Sequence, residues 1–110
     1  MSRHIEILLV LEQIEAELKT LALWGGSEGR PQDEAFLSTA PFCIDSMDFH
    51  QWLEYVLIVR LKEILENELE LPSQMSVHPM AQEVYRGQWG KYRNLISHLR
   101  TLDNLVSAKK

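Results

Sequence analysis

The stretch Pro41-Phe42-Cys43-Ile44-Asp45-Ser46-Met47-Asp48-Phe49-His50-Gln51-Trp52-Leu53 is an aromatic-rich loop that runs straight into the most apolar helical pattern of the chain. Pro41 disfavours helical geometry at Ala40. The residues before it therefore form no more than one helical turn near 34–38, with Asp33 as its candidate cap. Asp45 or Ser46 has a short side-chain oxygen able to accept a free N–H and start the next helix, and Asp48 adds charge of the favourable sign there. From that point to about Leu69, Phe49, Leu53, Val56, Leu57, Ile64 and Leu65 recur on one stripe. Trp52, Tyr55, Ile58, Val59 and Leu61 make the first half apolar on nearly every side, as expected of a helix surrounded by others. Phe42, Phe49 and Trp52 read as a plug that locks this central helix, with a mostly filled groove beside Arg60.

Working outward, Ile7, Leu11, Ile14, Leu18 and Leu21 repeat at spacings of four and three, which predicts an amphipathic helix over 3–23 with Leu8 and Ala22 widening its stripe. The heptad seam is too short for a free coiled coil. It packs within a bundle first, and a dimer through this helix is the second choice. Trp24 ends it, and Gly25-Gly26 supply backbone that tolerates positive φ. Residues 25–33 are a turn-rich connector whose glycines lack the phosphate-loop spacing. Beyond Leu71-Pro72-Ser73, Pro79 suits a first helical position, predicting a helix over Pro79–Arg86. Gly87 and Gly90 then precede a final helix with Tyr92, Leu95, Ile96, Leu99, Leu102, Leu105 and Val106 on one face. No useful segment alternates with a period of two. The expectation is an all-α, single-domain bundle over residues 1–110, with four main helices plus the short turn near 34–38. Its expected core is Ile7, Leu11, Ile14, Leu18, Leu21, Phe49, Leu53, Val56, Leu57, Ile64, Leu95, Leu99 and Leu102.

Charge and chemistry narrow the function classes. The formal net charge of −5 argues against nucleic acid as a general partner. Residues 1–78 nevertheless carry −9 and residues 79–110 carry +4. In the basic part Arg86, Trp89, Lys91, Tyr92 and Arg93 resemble a stacking-plus-phosphate patch, so a small RNA-binding module is the alternative function. No apolar run is long enough to span a bilayer. Glu6, Glu12 and Glu15 interrupt the one N-terminal apolar stretch, so no signal peptide is expected and the cytoplasm is the natural compartment. The single Cys43 has no internal disulfide partner. His4, His50, His78 and His98 show no metal-ligand spacing, so neither metal nor cofactor is expected. Cys43 near His50 is better read as a small apolar residue than as a nucleophile. No catalytic constellation emerges, and the protein is read as non-enzymatic. Arg60, set inside an apolar helix, either snorkels to solvent or meets Asp45, Asp48 or Asp103, with the ion pair the default. A binding site, if present, is placed around Trp24, Phe42, Asp45, Trp52 and Arg60.

Three matches carry a resemblance: the Pro41-Phe42-x-x-Asp45-Ser46-Met47-x-Phe49-x-Gln51-Trp52-Leu53 block, the Leu71-Pro72 helix stop and the Leu102-Asp103-x-Leu105 ending. Together they are similar to the YqcC-like family of small bacterial proteins, over nearly the whole chain. The resemblance implies an all-helical bundle of uncharacterised function. It also implies an association with a C-type tRNA pseudouridine synthase, beside which such proteins are often encoded and whose name they sometimes carry. The expected role is that of a protein-interaction or accessory protein, with an RNA-modification enzyme as the implied partner. Relatives tend to have proline where this chain has Val59, so no kink is expected before Arg60.

Overall fold

A computed structural model describes residues 3–107. Among the described residues it has four helices and no strand. Helix α1 is Arg3–Thr20. Two 3-10 turns, Asp33–Leu37 and Pro41–Cys43, lie in the following loop. Helix α2 is an unbroken helical run over 49–66, built from Phe49–Trp52, a π turn Leu53–Leu57 and Ile58–Glu66. Helix α3 is His78–Val84 and α4 is Trp89–Ser107.

The seam of α1 behaves as its spacing predicts. Ile7, Leu11, Ile14 and Leu18 are wholly buried, against Leu95, Leu99 and Leu102 of α4 and Leu53 and Leu61 of α2 in one core. Each such side chain is worth roughly 1.5–3 kcal/mol. A surface pair such as Lys19–Glu15 at 2.9 Å contributes about 0–1 kcal/mol, so the apolar seam dominates. Because α4 is the closest-packed neighbour of α1, this seam is not free to pair with a second copy. Leu8, expected to widen the stripe, is exposed. Leu21, Val56 and Ile64 are half-buried rather than central. Val10, Ile58, Val77, Ala81, Tyr85 and Val106 join the core instead.

Two helix C-termini differ from their expected positions for one reason. Residue Ala22 takes φ 61°, its N–H donating to the Lys19 carbonyl at 3.0 Å while Leu23 N–H donates to Leu18 at 2.8 Å. That pairing is a Schellman turn. It stops α1 at Thr20, before Trp24 and the glycines. The same device ends α2 at Glu66 rather than Leu69, with Glu68 at φ 51° and Leu69 N–H donating to Ile64 at 2.9 Å. At its other end, α2 is capped by Asp48 and not by Asp45 or Ser46. Asp48 and Gln51 form a capping box, with the Asp48 N–H donating to Gln51 Oε1 at 2.8 Å. Asp33 does not cap its turn either: Gln32 holds the cap position and Asp33 pairs with Arg30 at 2.8 Å. No proline kinks α2, but the Leu53–Leu57 turn widens to π geometry, with Ile58 N–H bonded to Leu53 O.

Two buried carboxylates tie loops to helices. Glu54, 4% exposed, accepts the Gly25 N–H on one oxygen and the Gly26 N–H on the other, each at 2.8 Å. The Tyr55 hydroxyl donates to Gly26 O beside them. A Cβ on Gly25 would lie 2.4 Å from that hydroxyl, so any larger residue there would have to displace the Tyr55 hydroxyl from its bond to Gly26. Asp103, also 4% exposed, accepts the Val77 and His78 N–H groups at 2.9 Å and contacts His78 Nδ1 at 2.7 Å. One turn on, Ser107 Oγ accepts the Met75 N–H at 2.8 Å. The loop before α3 is thus held along a single face of α4.

An aromatic chain links the same elements. Phe42 meets Trp52 edge-on at 4.9 Å and Phe49 at 6.1 Å; Phe49 meets Tyr85 at 6.0 Å, and Tyr85 stacks on Tyr92 at 3.9 Å. The Tyr85 hydroxyl is buried without a hydrogen-bond partner among the described residues. Burial pushes its pKa well above the ordinary 10.0, with Tyr92 and Asp48 adding to the rise.

Three outcomes follow in unfolding experiments. Ala22→Gly removes the left-handed penalty and raises stability by about 1 kcal/mol in urea titrations. Glu54→Ala leaves two amides without their charged acceptor and lowers it by about 2–4 kcal/mol. Tyr85→Phe is neutral to stabilising at pH 7. Since the unfolded tyrosine ionises near pH 10.0 and the folded one above it, this group's contribution is complete below pH 10.0 and declines above it. The Tyr85→Phe protein therefore resists alkaline unfolding better, as circular dichroism across that range will show.

Candidate functional site

Local sequence shapes the main recess. Pro41 holds Ala40 extended at φ −71° and ψ 148°. Phe42 and Cys43 then both take left-handed backbone, φ 58° and 50°, a strain of about 1–2 kcal/mol per residue that surrounding contacts must hold in place. Ser46 Oγ donates to Ala35 O at 2.7 Å, and Ser38 Oγ accepts the Ala40 N–H at 3.1 Å while donating to Asp45. These bonds fold the loop against α2. From α2, Trp52, Val56, Val59, Arg60 and Glu63 project on one face. Between this face and the Phe36 and Phe42 rings lies an open groove of about 490 Å³.

The groove is not filled as expected, because nothing covers Val59, which is 53% exposed. The central helix is therefore enclosed on only part of its circumference. A second recess of about 490 Å³ adjoins it, with Tyr55 and Val59 common to both. Trp24, Arg30 and Lys62 line that side, where Lys62 lies 3.8 Å from Glu15 and Lys19 sits 5.5 Å from the Trp24 ring centroid. The Glu54 clamp fixes the loop that carries Trp24.

The residues singled out from sequence are thus divided. Phe42, Trp52 and Arg60 line the first groove and Trp24 the second. Asp45 lines neither; it is exposed and accepts the Ser38 hydroxyl. Arg60 has no ion pair among the described residues, contrary to the default expectation, because each proposed partner is engaged elsewhere. Asp45 holds Ser38, Asp48 caps α2 and Asp103 holds Val77 and His78. Arg60 is exposed and lines the groove together with Glu63. Phe36 was not singled out from sequence, and Tyr55 and Val59 were read only as part of an apolar helix surface, not as site residues. Val59 lies seven residues after Trp52, a helical spacing that places them on one face.

The basic segment also divides. Arg86 is held by Glu83 at 2.7 Å, and Tyr92 is buried in its stack with Tyr85 under the Lys91 ammonium, so its ring is closed to a base. Trp89 and Arg93 remain open and share a cleft of about 290 Å³ with Arg100. Cys43 and His50 are both half-buried, with no hydrogen bond between them among the described residues. Among those residues no three His, Cys, Asp or Glu side chains gather as a metal site, and no helix is long and apolar enough to cross a membrane.

Comparison with known proteins fits this architecture. The solution structure of YqcC from Escherichia coli superimposes with a TM-score of 0.85 at 31% identity, covering 100% of this chain and 92% of that one. The E. coli YqcC sequence is 32% identical over 107 residues, 97% of this chain and 96% of that protein. An uncharacterized Haemophilus influenzae protein is 34% identical over 97 residues, 88% of this chain and 89% of its own length. A Pectobacterium carotovorum protein named tRNA pseudouridine synthase C is 38% identical over 72 residues, 66% of this chain but 19% of that polypeptide. Residues 6–105 match the DUF446 family model, which bears the description tRNA pseudouridine synthase C. With its all-helical architecture and nearly full-length match, this chain belongs to the DUF446 family, alongside YqcC.

Proposed function

We propose that this chain is a non-enzymatic accessory protein that binds a tRNA pseudouridine synthase of the C type through the groove between the 33–47 loop and α2. The observation that carries the reading is that groove: an uncovered recess of about 490 Å³ of mixed polarity, walled by Phe36, Phe42, Trp52 and Val59 and edged by Glu63 and by Arg60, which has no ion pair among the described residues. Its aromatic walls are preformed, since Phe42 and Trp52 are in edge contact and the loop is pinned by Ser38 and Ser46. Aromatic and arginine side chains grouped around a pocket are the usual anchors of protein interfaces. The groove fits a partner segment that places a bulky apolar side chain against Trp52 and a carboxylate beside Arg60.

Two further points support the reading. Both buried carboxylates, Glu54 and Asp103, accept backbone amides, and Asp103 also holds the His78 ring, which accounts for them as parts of the scaffold. In the Pectobacterium protein, the segment similar to this chain is one fifth of a polypeptide bearing the enzyme's name, so most of that polypeptide lies outside the match. A binding domain joined to its enzyme in one chain and separate in another would give this pattern.

The test is direct binding between this protein and the C-type synthase of the same bacterium, by calorimetry and size-exclusion chromatography. A stable complex is expected. Trp52→Ala and Arg60→Glu should each weaken it by roughly 30-fold, the threshold of an interface hot spot, with far-ultraviolet circular dichroism unchanged. No complex at concentrations of about 10 μM, or an affinity that neither variant changes from that of the unmodified protein, overturns the proposal.

A further inference from the structure

A separate feature lies between α3 and α4, and it shares no lining residue with either groove beside α2. Along α4, Trp89, Arg93, Ile96 and Arg100 fall on one helical face, at steps of four, three and four, with Gln82 of α3 opposite. They surround a cleft of about 290 Å³. Trp89 is 54% exposed, yet its ring is fixed: the indole Nε1–H donates to the Gln82 carbonyl at 2.9 Å, across the gap between the two helices. Neither Arg93 nor Arg100 has a hydrogen bond or ion pair to its guanidinium among the described residues, and no carboxylate lines the cleft. Both grooves beside α2 contain acidic side chains, Glu63 in one and Glu15 in the other. Arg93 and Arg100 are thus left without a compensating carboxylate in this recess.

We infer that this cleft binds single-stranded RNA, with a base stacked on Trp89 and backbone phosphates held by Arg93 and Arg100. The two arginines lie seven residues apart on α4, about 10 Å along its axis. Guanidinium groups recognise phosphate oxygens with paired, charge-assisted hydrogen bonds, and an exposed indole offers a face to any base. Other anionic occupants fit less well. A peptide adding as a β-strand would need a strand edge to pair with, and both walls are helices. An acidic side chain would use the arginines but leave the exposed indole without a role.

The experiment is fluorescence anisotropy with a labelled oligouridylate of about 12 nucleotides. Two phosphate contacts give a salt slope of about −1.4, so raising salt from about 50 to about 200 mM should weaken binding about sevenfold. Trp89→Ala, Arg93→Glu and Arg100→Glu should each weaken it about tenfold or more. Gly90→Glu is an independent check: a Cβ there meets nothing within 4 Å, so the variant brings a carboxylate to the cleft without disturbing packing. Arg86→Glu, outside the cleft, and Trp52→Ala, in the other groove, should change affinity by less than about twofold. Absence of binding at low salt overturns the proposal. So does a loss on Arg86→Glu equal to that on Arg93→Glu, which would mean unspecific charge attraction. Displacement by an oligoglutamate peptide, or by adenosine monophosphate, at the concentration at which unlabelled RNA displaces would reassign the cleft to acidic peptides or to free nucleotides. Because the synthase complex is read through Trp52 and Arg60, failure of either proposal leaves the other standing.

Discussion

The rest of the structure hangs on the Glu54 carboxylate beneath the Gly25 and Gly26 amides. A buried charge without partners would cost several kcal/mol, but here each oxygen accepts one backbone N–H at 2.8 Å, and the side chain becomes a fastener. The residue that interrupts the apolar run of α2 is therefore the one that joins the loop after α1 to that helix. The π turn accompanies this arrangement, since Leu53, Glu54, Leu57 and Ile58 all reach the interior together. Asp103 repeats the device at the other end of the chain, where it starts α3 from the side of α4. In a protein of this size, with one core, such long-range polar ties fix the loops that apolar packing alone leaves free.

The same economy governs where strain is kept. Ala22 and Glu68 terminate two helices in left-handed geometry without glycine, and Phe42 and Cys43 repeat that conformation beside the groove. The helix ends are ordinary chain reversals. The pair at 42–43 is different, because it sets the ring that meets Trp52 and forms a wall of an open recess. Strained backbone held in place beside an uncovered recess is what a preformed binding surface requires. The two recesses proposed to bind ligands also differ in kind. One is aromatic and mixed in charge, the other small and basic, so protein and RNA can be held by separate faces.

Much of this was legible in the sequence. The four-and-three spacing from Ile7 to Leu18, and the face from Leu95 to Val106, fix which sides of α1 and α4 are buried, because period and burial follow from helix geometry alone. Helix number and the absence of strands among the described residues follow from the same patterns. The Phe42, Trp52 and Arg60 neighbourhood was identifiable because aromatic residues crowd a loop that opens an apolar helix. Boundaries were less legible. A Schellman turn is decided by backbone conformation, which at Ala22 and Glu68 overrides residue preference, and Asp48 displaced Asp45 and Ser46 as a cap only because Gln51 stands three residues on.

What tertiary structure alone decided was the pairing of distant polar groups and the empty space between helices. Arg60 was expected to meet an aspartate, yet Asp45, Asp48 and Asp103 are all held by groups 3 to 26 residues away, and no periodicity encodes that choice. Tyr92 looked available for stacking from its place among basic residues, but the Tyr85 ring, brought by α3, closes it. Arg100 gained a role only when α3 and α4 formed a cleft around it. Sequence by itself determines the side of each helix that water leaves, because that is a property of one helix. Whether a recess is filled or open depends on how several surfaces meet, and only the assembled fold contains that information.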